Sequence, residues 1–164
     1  MAAGKPKLEE FCAVHTCRKD VSFVLQTKNG PKSIDLPQYW PPVRENYLSI
    51  LPDEKIYVEL EITKDNLIGL KHVPSIKNPD ITLTFNFEQV QDKRGMMLTV
   101  KNPFDSVLKF HVSMAVVTGE IVQTSSCPVR ANLLLMEHWP HPIFELFVSD
   151  IHFLAKADST ACVY

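Results

Sequence analysis

Histidine, methionine, serine and cysteine are the side chains here with chemistry to offer, and their spacing decides which chemistry. His138 and His141 flank Trp139-Pro140, with Met136 two residues upstream of His138. Met96, Met97, Met114 and His111 fall in stretches of strand character that could approach them. Thioether and imidazole groups suit copper, so such a cluster at one end of a β fold would make a copper-binding or copper-carrier protein. Packing competes for the same residues. Met114 is in phase with Leu108, Phe110 and Val112 and so reads as core, while His111 falls on the opposite face. His138 and His141 read as solvated loop residues around a packed tryptophan. Copper held by His138, His141 and Met136 is therefore the alternative reading, and no cofactor is expected.

Ser125-Ser126-Cys127-Pro128 resembles a nucleophile segment only superficially. It lacks the glycine-flanked elbow that exposes a reactive serine, and no second cysteine completes a redox Cys-x-x-Cys. The close acidic sets are Glu9 with Glu10, Asp53 with Glu54, and Glu59 with Glu61; the last two side chains alternate onto a solvated strand face. No catalytic residue is expected. Glycines at 4, 30, 69, 95 and 119 are too scattered for a phosphate loop. A net charge of -2, without aromatic residues alternating with lysine or arginine on one face, gives no attraction for nucleic acid.

Binding another protein needs less. The face carrying Val107, Lys109, His111 and Ser113 is one candidate surface, and the edge beside Tyr39 and Trp40 is another. Tyr39, Trp40, Lys109 and His111 are the interaction residues to test. The leading reading is a non-enzymatic protein-binding or assembly module.

Four cysteines in polar or terminal settings bear on its compartment. Free cytosolic cysteines are usually buried small hydrophobes, so these favour disulfides and a periplasmic or extracellular location. Reduced cysteines would instead mean the cytoplasm. Cys12 to Cys17 and Cys127 to Cys162 is the preferred pairing: the first closes a short loop at small entropic cost, and the second fastens the C-terminal tail. Residues 1 to 7 carry charge without a following apolar stretch, so they do not read as an intact secretory signal. No apolar run approaches the roughly 20 residues of a membrane-spanning helix.

The positioning elements read as strands. Ile81, Leu83, Phe85 and Phe87 alternate with Thr82, Thr84, Asn86 and Glu88, and the polar run Gln91 to Gly95 turns the chain into a second strand, Met96 to Val100. Leu108 to Val116 alternates again. Lys55 to Thr63 does the same, with Ile56, Val58, Leu60 and Ile62 inward. Val21 to Thr27 is a strand ending at the turn Lys28-Asn29-Gly30-Pro31. Leu36 to Pro42, with three prolines, should run extended as a lid or edge cover. Further short strands are expected at Asn66 to Val73, Glu120 to Thr124 and, by length, Ala131 to Trp139. A helical turn at Ile143 to Phe147 should precede a last strand, Ser149 to Ala155.

This predicts an all-β fold, a two-sheet antiparallel sandwich of immunoglobulin-like or fibronectin-like arrangement, with a closed barrel as the alternative. The expected core is Val58, Leu60, Leu83, Phe85, Leu98, Val100, Phe110 and Val112. Residues 1–20 read as an irregular lead-in and 21–164 as a single domain.

Overall fold

The computed structural model describes residues 7–63, 68–90, 95–155 and 161–162. A short helix α1 (Leu8–Val14) leads into a hairpin of β1 (Arg18–Thr27) and β2 (Gly30–Tyr39). There follow β3 (Val43–Arg44), β4 (Tyr47–Ile50), β5 (Glu54–Ile62), β6 (Ile68–Val73), β7 (Thr82–Gln89) and β8 (Met96–Lys101). Four more strands complete it: β9 (Leu108–Val116), β10 (Ile121–Thr124), β11 (Leu134–Trp139) and β12 (Ile143–Phe153). One five-stranded sheet runs β10-β9-β12-β4-β3 and the other β11-β8-β7-β5-β6, with β1 and β2 as a separate pair. Every pair is antiparallel and neither sheet closes on itself, so the fold is a sandwich and the barrel alternative falls.

Period-two alternation explains the core. All eight expected core residues are buried, and Phe85 of β7 meets Phe110 of β9 edge to face at 6.2 Å across the two layers. Such a pair adds to the area that each ring removes from water. The β1–β2 hairpin sends Phe23 and Leu25 into this same core. Gln89 of β7 ties β1 down from the side, donating to the Val24 carbonyl at 2.6 Å and accepting from the Gln26 amide at 3.0 Å.

Several expectations need correction. The lead-in is not irregular where it is described: Leu8–Val14 is helical, and Arg18 to Asp20 already belong to β1. Glu9 and Glu10 suit the positive end of that helix, and the Cys12–Cys17 disulfide holds its far end against the strand. Leu36 to Tyr39 are not a free lid but the second half of β2. Two prolines are tolerated because β2 pairs on one side only. Residues 143–153 form one continuous strand with no helical turn, and its register shifts between Ile143 and Glu145 and again between Ser149 and His152. Those bulges break the alternation that sequence reading relies on.

Local burial differs too. Ile81 sits in a 3-10 turn (Pro79–Ile81) and is exposed, whereas Thr82 is buried and donates to the Asn78 carbonyl at 2.6 Å. Glu59 is buried rather than solvated, accepting from Asn78 Nδ2 at 3.1 Å, while Glu61 is exposed and so is Ile62, contrary to its expected inward place. In β11 the apolar Leu134 and Met136 face outward, and Leu135, Glu137 and Trp139 face in. Both disulfides have the preferred pairing, Cys12–Cys17 and Cys127–Cys162. The expected turn residues 91–94, and 66–67 of the strand expected at Asn66 to Val73, lie outside the described residues. Among the described residues no helix is long and apolar enough to cross a membrane.

Candidate functional site

Two sheet edges, β3 of one layer and β6 of the other, meet on the side of the sandwich where α1 and the end of β2 also arrive. Between them lies an open groove of about 1220 Å³. Its walls hold Phe11 of α1, Trp40 after β2, Arg44 and Tyr47 of the β3–β4 hairpin, and Leu70 and Lys71 of β6.

The β3–β4 hairpin builds the central feature. Arg44 and Tyr47 are cross-strand partners beside the two-residue turn Glu45-Asn46, whose first residue has a positive φ of 51°. Directly opposed side chains lie close enough to touch, and the Arg44 guanidinium sits 5.2 Å from the Tyr47 ring centre. Trp40 covers the guanidinium at 4.3 Å. Phe11 leans on Trp40 with ring centres 5.1 Å apart, and His15 stacks on Phe11 at 4.1 Å. The guanidinium is thus held between two aromatic rings, each contributing cation–π attraction. Its Nε is buried without a hydrogen-bond partner.

Beneath the groove lies a buried polar network. Arg18 donates to both Glu54 carboxylate oxygens, at 2.9 Å from Nε and 2.8 Å from Nη2, and to the Trp40 carbonyl at 2.9 Å. It also donates to Ser49 at both its carbonyl and, at 3.3 Å, its hydroxyl. Glu145 accepts from the hydroxyls of Ser49 and Tyr39. The network joins the β1–β2 hairpin, through Arg18 and Tyr39, to both sheets, since Ser49 and Glu145 belong to one and Glu54 to the other. Burial raises the Glu54 carboxyl above its ordinary value, opposed by Arg18. The Tyr39 phenol is raised by burial and by Glu145, and His72 at the groove wall is lowered by burial and by Arg18.

The candidate interaction residues do not form one surface. Trp40 lines the groove, but Tyr39 turns inward to Glu145. Lys109 and His111 lie on β9, with β12 and β4 between them and β3. His111 faces Asp150 at 3.2 Å. The copper candidates are only partly gathered. Met114 and Met96 are core side chains, and His141 lies in the β11–β12 connection beside the Pro142 carbonyl. His138 is the cross-strand partner of Met97, and Met136 shares that outer face. Among the described residues no group of three or more His, Cys, Asp or Glu is placed to hold a metal ion. Ser126 is buried and donates to the Phe110 carbonyl at 2.8 Å, and Cys127 is disulfide-bonded.

Sequence reading missed Arg18, Arg44, Tyr47 and Glu145, and took Glu54 only as half of an acidic pair with Asp53. The one available signal was Arg44 standing between Trp40 and Tyr47 within eight residues of chain. Comparison with known proteins adds no relative: no family model, no curated protein and no solved structure matches this chain.

Proposed function

We propose that this chain is a non-enzymatic protein-binding module of an oxidising setting, periplasmic or extracellular, and that its partner docks in the groove between β3 and β6. The groove carries this reading. Ligand pockets for small molecules usually span about 300–1,000 Å³. This one, at about 1220 Å³, is open and flanked by two strand edges, which suits an extended segment of another protein. The two disulfides support the compartment, because such bonds persist where thiols are not kept reduced.

Position-specific photo-cross-linking tests it. A photoreactive residue replacing Lys71 at the groove should capture a protein that the same residue at Lys109 does not, and Trp40→Ala should abolish that capture. Equal capture from both positions removes the groove from the proposal.

A second reading has one observation behind it. Met97, Met136 and His138 share the outer face of β8 and β11, and a Cβ at Gly95 would meet His138 Nε2 at 2.7 Å, so glycine makes room for the ring. These are soft ligands for Cu(I). Retention of one equivalent of Cu(I) after desalting, lost on Met136→Ala with His138→Ala, would favour a copper-binding protein. Retention unchanged by that pair, or none, removes this reading.

A further inference from the structure

Resting on the groove as the docking site, we propose that its occupant is an acidic extended peptide segment, and that Arg44 receives a carboxylate of that peptide. The guanidinium is fixed by two rings, yet among the described residues it has neither an ion pair nor a hydrogen-bond acceptor. With Nε buried, the two terminal amino groups are the edge left to grip a carboxylate through two parallel hydrogen bonds. Holding the group in advance removes much of the ordering cost on binding.

Charge around it has the complementary sign. Lys55 and Lys71 line the same groove and have no ion-pair partner among the described residues, whereas Arg18 is already paired with Glu54. Among the described residues of the groove, three unpaired cations thus face one remaining carboxylate, the exposed Glu45.

A peptide fits better than an anionic glycan for two reasons. β6 pairs with β5 alone, so alternate backbone N–H and C=O groups along Leu70-Lys71-His72 point away from the sheet. An added strand satisfies such groups, and a sugar chain does not. Sugars also bind by stacking on open aromatic faces. Trp40 is flanked by Arg44 and Phe11, and Tyr47 by Arg44.

Fluorescence anisotropy with three labelled probes tests the proposal: an eight-residue peptide alternating Glu with Val, the same peptide with Lys for Glu, and a sulfated heparin fragment. The acidic peptide should bind, more weakly as salt rises, and the basic peptide should not. Arg44→Ala should weaken binding by at least about tenfold. Arg44→Lys, which keeps the charge and loses the planar fork, should also weaken it, as should charge reversal at the exposed Lys71 (Lys71→Glu). Lys109→Ala on the far face should leave it unchanged. Circular dichroism of each variant identifies any that fails to fold, and Lys71→Glu then decides. Equal binding of acidic and basic peptides, preference for heparin, or no acidic-peptide binding overturns the proposal. If cross-linking from position 71 still captures a protein while the acidic peptide does not bind, the docking site stands and only its chemistry is refuted.

Discussion

Removing the cation from beneath the groove should reveal what the polar network does for stability. Arg18→Met deletes the guanidinium and retains an unbranched chain. Arg18 is 8% exposed, and the Glu54 side chain is 22% exposed. Breaking a buried ion pair from one side costs about 3–5 kcal/mol, a large share of the roughly 5–15 kcal/mol that holds a domain folded. Two contributions separate by pH. Loss of the donors to the Ser49 and Trp40 carbonyls costs about 1–3 kcal/mol at any pH. The remainder is the uncompensated Glu54 charge. Burial already raises the folded Glu54 carboxyl above its ordinary 4.5, and Arg18 holds it down. Without Arg18 it rises further. A raised carboxyl contributes stability that is complete below the unfolded value and lost as pH climbs through the folded one. The deficit of Arg18→Met relative to wild type should therefore be largest at pH 7 and shrink toward pH 4. Urea unfolding with disulfides intact, followed by tryptophan fluorescence at both pH values, measures it. Adding Glu54→Gln should recover part of the loss at pH 7 and little at pH 4, because the amide oxygen can still accept from the Leu51 amide. An equal deficit at both pH values, or one below about 1 kcal/mol at pH 7, refutes the reasoning.

Other consequences are simpler to check. Phe85→Ala and Phe110→Ala should each cost about 3–5 kcal/mol by chemical denaturation, since both rings are fully buried; a loss near zero would contradict their place in the core. Serine at both Cys127 and Cys162 should cost about 4 kcal/mol on the chain-entropy account, against about 2 for Cys12 and Cys17, because the bridged separations are 35 and 5 residues. Glu137 is raised by burial, opposed by the Cys127 amide that it accepts at 2.9 Å. Glu137→Gln should gain stability relative to wild type as pH rises from 4 to 7; parallel melting profiles would rule that out.

Alternation carried most of the fold, because a strand buried on one face repeats its apolar residues every second position. It worked for β8 and β9, and for β5 and β7 except at their ends, where Glu59 and Thr82 are buried and Ile62 and Ile81 exposed. It failed at β12, where bulges let Glu145 and Leu146 be buried as neighbours, and at β2, where prolines concealed an edge strand. The disulfides were legible from position along the chain. The groove was not. Arg18, Arg44, Glu54 and Glu145 are ordinary charged residues far apart in sequence, and only the meeting of two sheet edges gives them a shared location. Trp40 was picked out by its aromatic character, but its neighbour Tyr39 points the other way along β2.

The bridge between Cys127 and Cys162 also matters for how the molecule would bear force and cleavage. The covalent ring that it closes contains β11 from one layer and β12 from the other. A protease cutting the connection between those strands would therefore release nothing, since both halves stay linked through sulfur. Tension applied beyond Cys162 would pass straight to Cys127, shielding about 12 nm of extended chain from being drawn out. Under reducing conditions that length becomes available, so single-molecule pulling with and without reductant would read the state of this one bond as a change in contour length.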